Sequence, residues 1–130
     1  MFGIAVTIRD EMNRVRQRAK DAARKSFART AFLIRESAIR SIKWSEEPSP
    51  AGEPPHTRER FQIQRAILYS ADKEGAVIGP VASLFGTAGS AHEFGGPYKR
   101  GTFPERPFME PALENNFDIF ANSWSGSIGD

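Results

Sequence analysis

Two adjacent side chains, His92 and Glu93, are the residues of this chain best suited to chemistry. They could begin an H-E-x-x-H zinc site, in which two histidines one helical turn apart bind the metal and the glutamate acts as a base. The position four residues after His92 is Gly96, however, and the only other histidine is His56. Because the chain also has no cysteine, we expect neither a metal site nor a bound cofactor.

Other catalytic patterns are also incomplete. Gly89-Ser90 lacks the G-x-S-x-G turn that exposes a nucleophilic serine. The segment from Gly86 to Gly89 lacks the lysine and hydroxyl residue of a phosphate-binding loop. His92 could still act as a base or as a pH-sensitive contact. A lone histidine beside a glutamate is more often a hydrogen-bonded turn residue, and we therefore expect no enzymatic activity.

Length and composition predict a single domain over 1–130. No apolar run approaches the roughly 20 residues that span a membrane. Net charge is +2, but it is unevenly distributed. Arg9 to Lys43 contains eleven basic and four acidic residues, a net +7, whereas the chain from Met109 onward contains four acidic residues and no basic one. This asymmetry fits head-to-tail packing of subunits, a surface that faces nucleic acid, or simply a solvated helix face.

The basic segment carries the pattern of a long helix, which we predict from Asp10, as N-cap, to Ile42. Such a helix would be about 50 Å long, so part of it should project and pack on another subunit, unless it divides into two helices. Phe32 and Ile39 lie off the main stripe and indicate a second contact surface. The stripe itself consists of apolar and small residues at helical spacing, namely Met12, Val15, Ala19, Ala22, Ala23, Ser26, Phe27, Thr30, Leu33, Ile34, Ala38 and Ile42.

The remaining elements predict an α+β fold. A proline-rich loop or arm at about 46–60 could reach a neighbouring subunit. A strand over Phe61–Ala71 should form a hairpin with Ala76–Gly79 through a turn in which Gly75 supplies a positive φ. Tyr98–Phe103 is a candidate third strand that extends the hairpin. A last helix over Met109–Asn122, with Pro111 in its first turn, leaves a short tail at about 123–130. The segment between the hairpin and the third strand has a short helical turn at Ala82–Phe85, after which its glycines predict irregular structure.

Three short motifs occur in a fixed order along the chain. They are Gly52-Glu53-Pro54-Pro55-His56-Thr57, Ala91-His92-Glu93-Phe94-Gly95 and Arg106-Pro107-Phe108-Met109-Glu110-Pro111-Ala112-Leu113. In these motifs, and in its order of elements, the chain resembles the neck and tail-completion proteins of tailed bacteriophages, which join head to tail. Family members commonly carry a Thr-Gly-x-Leu segment after the prolines, where this chain has Thr57-Arg58-Glu59-Arg60-Phe61.

The resemblance implies a structural protein of the virion neck, assembled in the host cytoplasm, with no catalysis and no membrane contact. Copies of the chain would form a six- or twelve-fold ring that DNA crosses. The ring would join a portal, adaptor or head-completion protein to a tail terminator or tail-tube protein. Much of the basic helix face should then be salt-bridged between subunits. Structural or interface roles are expected for ten residues, namely Phe32, Ile39, Pro54, Pro55, His92, Glu93, Phe94, Arg106, Pro107 and Phe108.

Within that set, Glu93, Phe94, Pro107 and Phe108 should shape the turn that packs the last helix onto the sheet, with Phe108 as a buried anchor. The alternative interpretation is a small basic cytosolic protein that binds nucleic acid without sequence preference, since phosphate contacts need only a row of arginines and lysines. The chain has no recognisable module for reading bases.

Overall fold

The computed structural model describes the backbone of residues 2–58, 62–86, 88–99 and 101–123, and the side chains of these residues except 2–9, 62 and 85. The fold is α+β, as expected: a long N-terminal helix, small two-stranded sheets and C-terminal helices. The predicted tail lies, after Ser123, outside the described residues, as do Glu59, Arg60 and Phe61 of the segment that departs from the family pattern.

The first element, α1, is one unbroken helix of 40 residues over Phe2–Ser41. The predicted start at Asp10 was therefore wrong, because Asp10 lies inside the helix and is not its N-cap. Neither proline nor an interior glycine interrupts the chain between Ile4 and Ser41, so nothing divides the helix in two. At 1.5 Å per residue, α1 is about 60 Å long.

Two short strands follow and enclose the proline-rich loop. Strand β1 is Lys43–Trp44 and β2 is His56–Thr57, and the two pair in parallel. The next segment corrects the sequence prediction, because Gln62–Ala66 forms a helix, α2, and not the first part of a strand. Buried Ile63, Ala66 and Ile67 have the i, i+3, i+4 spacing of a helix, which the alternation of apolar residues concealed.

The predicted hairpin is present as β3, Ile67–Ala71, paired antiparallel with β4, Ala76–Pro80. Its turn differs from the prediction, because the φ of Gly75 is not positive. The side chain of Asp72 shapes the turn instead. Its Oδ1 accepts hydrogen bonds from the backbone N–H of Glu74 at 2.7 Å and of Gly75 at 3.1 Å. A short aspartate side chain of this kind substitutes for a backbone turn bond.

The segment between the hairpin and the last helices is more regular than expected. Helix α3 is Ala82–Phe85, as predicted, but α4, Ala88–Phe94, occupies a stretch whose glycines predicted irregular structure. Gly89 is buried in α4 against Pro80, where any Cβ would collide with the proline ring. Close packing therefore explains this glycine, which does not break the helix.

The predicted third strand is also wrong in its placement. Gly96–Tyr98 and Gly101–Phe103 form β5 and β6, which pair antiparallel with each other as a separate hairpin and do not extend β3 and β4. Gly95, just before this hairpin, and Gly96, its first residue, have φ of 67° and 101°. These left-handed conformations, which glycine adopts freely, turn the chain from α4 into β5.

The last helix is divided in two, contrary to the prediction. Helix α5 is Met109–Asn115 and α6 is Phe117–Ser123. Buried Asn116 separates them, and its Nδ2 donates hydrogen bonds to the Ala112 carbonyl at 2.7 Å and to the Ser37 Oγ at 2.9 Å. Pro111 lies in the first turn of α5, as its missing N–H predicts.

The core lies between the C-terminal half of α1, the α2–β3 segment and α5. Arg35 in α1 is joined to β3 by a 2.7 Å hydrogen bond from its Nε to the Ile67 carbonyl. Further toward the N-terminus, the small residues of α1 lie against α6, where Ser26 hydrogen-bonds Ser123 through their hydroxyls. The core side chains are Ile34, Ala38, Ile42, Ile63, Ile67, Phe108 and Ala112.

Candidate functional site

The start of α5 is capped by Glu93, which lies near the end of α4. One carboxylate oxygen of Glu93 accepts hydrogen bonds from the backbone N–H groups of Phe108 and Met109, and the other accepts one from Glu110, each at 2.9 Å. The first N–H groups of a helix have no partner within the helix, and a carboxylate there also offsets the positive end of the helix dipole. Glu93 thus fixes α4 to α5.

The side chains of the residues beside this cap are buried to different extents. The Phe108 side chain is fully buried, at 0% exposed, and belongs to the core. Pro107 is half-buried. Phe94, in contrast, is 73% exposed, so it takes no part in burying α5. Helix α5 packs mainly against α1.

The proline-rich loop lies against its own chain. Ser49 and Pro55 are buried, and Pro54 is half-buried. The backbone N–H of Gly52 donates to the Glu105 carbonyl at 2.8 Å. This hydrogen bond therefore holds the loop against the segment that leads into α5.

Arg106 joins the loop to α4. Its Nε donates a hydrogen bond to the Ser49 carbonyl at 2.8 Å, and its backbone N–H donates to the His92 carbonyl at 2.6 Å. Together with the Glu93 cap, these bonds bring all three sequence motifs into one place. We call the region formed by residues 49–57, 91–95 and 105–110 the motif junction.

His92 lies in the motif junction and has a perturbed pKa. Burial, and then the nearby positive charge of Arg106, lower the pKa of His92 below its ordinary value of 6.5. Both causes disfavour the imidazolium form, so His92 is neutral at pH 7. Beside it, a cavity of about 220 Å³ is lined by His92, His56, Ser49, Arg58 and Arg106, among others.

The second candidate surface is the N-terminal part of α1. Every side chain from Asp10 to Arg18 is exposed, including Met12 at 51% and Val15 at 55%. From Asp10 onward, where the side chains are described, the first buried residue is Ala22. Since the backbone is helical from Phe2, α1 extends about 30 Å beyond the first buried position. We call residues 2–21 the α1 extension.

Basic side chains cover the same part of the molecule. Near the end of the α1 extension, Arg24 lies 3.6 Å from Asp21, an exposed pair that contributes little to stability. The exposed basic residues of this part of α1 are Arg14, Arg16, Arg18, Lys20, Arg24, Lys25 and Arg29.

The two residues expected on a second face of α1 have different environments. Phe32 is exposed, whereas Ile39 is half-buried against the core. Sequence reasoning missed a nearby apolar groove of about 200 Å³ between α1, β4 and the C-terminal helices, to which Phe27 and Phe117 contribute. Phe27 also stacks on Phe120, with ring centroids 5.4 Å apart. The helical spacing of Phe117 and Phe120 was visible in the sequence, but their packing partner was not.

The arrangement offers little for catalysis by a metal. Within residues 2–58, 62–86, 88–99 and 101–123, no group of three or more histidine and carboxylate side chains is placed to hold a metal ion. Over the same ranges, no helix has the length and hydropathy to cross a bilayer. No family model, curated protein or solved structure matches this chain, so the likeness to phage neck proteins rests on the three motifs and the order of elements.

Proposed function

We propose that this protein is a structural subunit of the neck of a tailed bacteriophage. Copies would form a ring of six or twelve subunits in the virion that joins the head connector to the tail and surrounds the DNA passage. Its role would be assembly and not catalysis. One observation carries the proposal: the α1 extension projects about 30 Å with exposed Met12 and Val15 on its apolar stripe.

An exposed apolar stripe on a projecting helix favours a protein partner. Monomeric proteins bury most such stripes, and helices in proteins gain most of their stability from packing that face. A neighbouring subunit in a ring would supply the packing, because each copy then receives the extension of the next. The basic side chains of the extension could pair with acidic residues such as Glu110, Glu114 and Asp118, which lie at the opposite end of the chain.

The motif junction also supports this proposal, because it is formed by the segments in which the chain resembles neck proteins. The three segments that resemble neck proteins are separate in sequence, yet hydrogen bonds join them in the fold. Glu93 accepts from the start of α5, and Arg106 bonds both the proline-rich loop and the His92 carbonyl. The junction supplies a rigid body from which the α1 extension projects.

The double variant Met12→Glu/Val15→Glu tests the extension. It places two charges on the apolar stripe without touching the core, so the monomer should fold with an unchanged circular dichroism spectrum. We expect it to fail in a particle assay in which wild-type protein restores joining of separately purified heads and tails. The matched control, Asn13→Glu, adds a charge to the same exposed stretch but off the stripe, and it should restore joining.

Joining by the double variant at the wild-type level would refute the role of the extension. A particle map that lacks the chain at the neck would refute the proposed function altogether. Native mass spectrometry that shows a ring of six or twelve copies would support it. A monomer in solution is compatible with assembly on a partner, and for that reason the particle assay is the deciding one.

A second candidate function is nucleic-acid binding without sequence preference, favoured by the exposed basic residues of α1. A salt titration separates the two candidates, because the logarithm of DNA affinity falls linearly with the logarithm of salt concentration. Tight binding by the monomer, with a slope that corresponds to several phosphate contacts, would favour this candidate. A shallow slope would favour the neck, where the basic face should be paired between subunits.

A further inference from the structure

A cavity beside the motif junction has the properties of an anion site. It measures about 220 Å³ and is enclosed by the proline-rich loop, β2 and the end of α4. Arg58, Arg106 and Glu47 all line it, so basic side chains outnumber acidic ones two to one among its described lining residues. Two guanidinium groups repel cations and attract anions.

The buried hydroxyl of Ser49 is the most informative group in this cavity. Ser49 is only 3% exposed, and its Oγ has no hydrogen-bond partner among the described residues. Buried polar groups in native proteins are nearly always satisfied, so an unpartnered hydroxyl at a cavity wall indicates a missing ligand. An apolar ligand would leave the hydroxyl unsatisfied, whereas an anion would accept a hydrogen bond from it.

The other donors are held in place by contacts of their own. The Nε of Arg106 is fixed on the Ser49 carbonyl, which leaves the four N–H groups of its terminal nitrogens to face a ligand. The Nδ1 of His56 lies 2.9 Å from the Glu47 carbonyl. This carbonyl can only accept, so Nδ1 donates to it and holds the ring beside the cavity.

We propose that this cavity binds a phosphate group through the guanidinium groups of Arg58 and Arg106 and the hydroxyl of Ser49. A tetrahedral oxyanion has enough acceptors for donors that converge from several directions, whereas a planar carboxylate has two oxygens. Arginine also matches phosphate in two-point contacts. The site does not require ring assembly, and it could take free phosphate or a phosphate of a DNA strand.

The test is a titration of the full chain followed by NMR of the histidine rings. Inorganic phosphate and a short single-stranded DNA are added separately, with sodium chloride at equal ionic strength as the reference. We expect saturable shifts of the His56 and His92 ring signals with at least one of the two. Phosphate binding should also raise the melting temperature more than chloride does, because a ligand of the native state stabilises it.

Two variants and a matched control locate the binding. Ser49→Ala and Arg58→Gln should each weaken affinity by about 10-fold or more, since each removes a hydrogen bond to a charged group. Arg29→Gln removes an equally exposed arginine far from the cavity lining and should leave the affinity unchanged. Ser49→Ala should melt no lower than wild type without phosphate, because its hydroxyl has no partner to lose.

Each outcome decides the proposal. Binding of inorganic phosphate or of DNA that is weakened by Ser49→Ala and Arg58→Gln, but not by Arg29→Gln, supports the site and shows which form of phosphate it takes. If neither inorganic phosphate nor DNA gives saturable binding, the proposal is overturned. Equal weakening by Arg29→Gln also overturns it, because the interaction is then a general effect of charge.

Discussion

Removal of the Glu93 carboxylate should be among the more destabilising changes to a residue that is not fully buried. Glu93→Ala deprives three backbone N–H groups of their acceptor, at Phe108, Met109 and Glu110. Glu110 is exposed, so water can satisfy its N–H, but Phe108 is fully buried and Met109 is half-buried. The loss therefore falls mainly on two donors that water reaches poorly.

The magnitude follows from these two bonds. A hydrogen bond to a charged group contributes about 1.5–3 kcal/mol, and loss of a helix cap costs about 0.5–2 kcal/mol. Because the two bonds share one carboxylate oxygen, they do not add in full. We expect Glu93→Ala to lower the free energy of unfolding by about 2–3 kcal/mol. Glu93→Gln keeps one neutral acceptor and should lose about half as much.

Urea denaturation followed by circular dichroism measures the effect. Glu114→Ala is the matched control, because it removes an exposed carboxylate from α5, the helix that Glu93 caps. It should change the free energy of unfolding by no more than about 0.5 kcal/mol. If Glu93→Ala unfolds at the same urea concentration as Glu114→Ala, the cap does not hold α5 and the reasoning fails. A lower midpoint with an unchanged slope would identify a change in stability alone.

Two further predictions concern the same region. Phe108→Ala should lower the free energy of unfolding by about 3–5 kcal/mol, because the side chain is fully buried in the core. Phe117→Ala removes a ring that is mostly exposed and should lower it far less. Equal urea midpoints for the two variants would contradict this prediction. Because folding lowers the pKa of His92, the unfolded chain binds a proton at this residue more tightly than the folded chain does. The contribution of neutral His92 to the free energy of unfolding should therefore be fully present above about pH 6.5 and be lost as the pH falls below it. His92→Gln should flatten that part of the profile, and urea midpoints of both proteins between about pH 7.5 and 5 would show it; parallel profiles would contradict the assignment.

Several local features could be predicted because they depend on neighbours in sequence. The length of α1 follows from the lack of helix breakers, although its true start at Phe2 was missed because Asp10 is a plausible cap. The hairpin over Ile67–Pro80 follows from apolar strands around a polar turn. Pro111 marked the first turn of the last helical segment because its missing N–H is tolerated there.

Other features were hidden because two patterns competed or because a partner was distant. The spacing of Ile63 and Ile67 fits both a strand and a helix. The burial of Ala66 between them matches the helix, α2, that the structure shows. The break at Asn116 requires Ser37 on another helix to accept its side-chain hydrogen bond. The exposure of Phe94 could not be inferred from its hydrophobicity. It lies about 100° around α4 from Glu93, the residue that caps α5, and so faces a different direction.

By itself, then, the sequence determined the class of fold, the charge asymmetry and the three motifs, since each is a property of composition or of nearby residues. Only the tertiary structure decided that Glu93 caps α5, that Arg106 holds the proline-rich loop and that Ser49 faces a basic cavity without a partner. These contacts join residues far apart in the chain. Their directions depend on how whole helices pack, because a side chain can cap or line a site only once the backbone on both sides is in place.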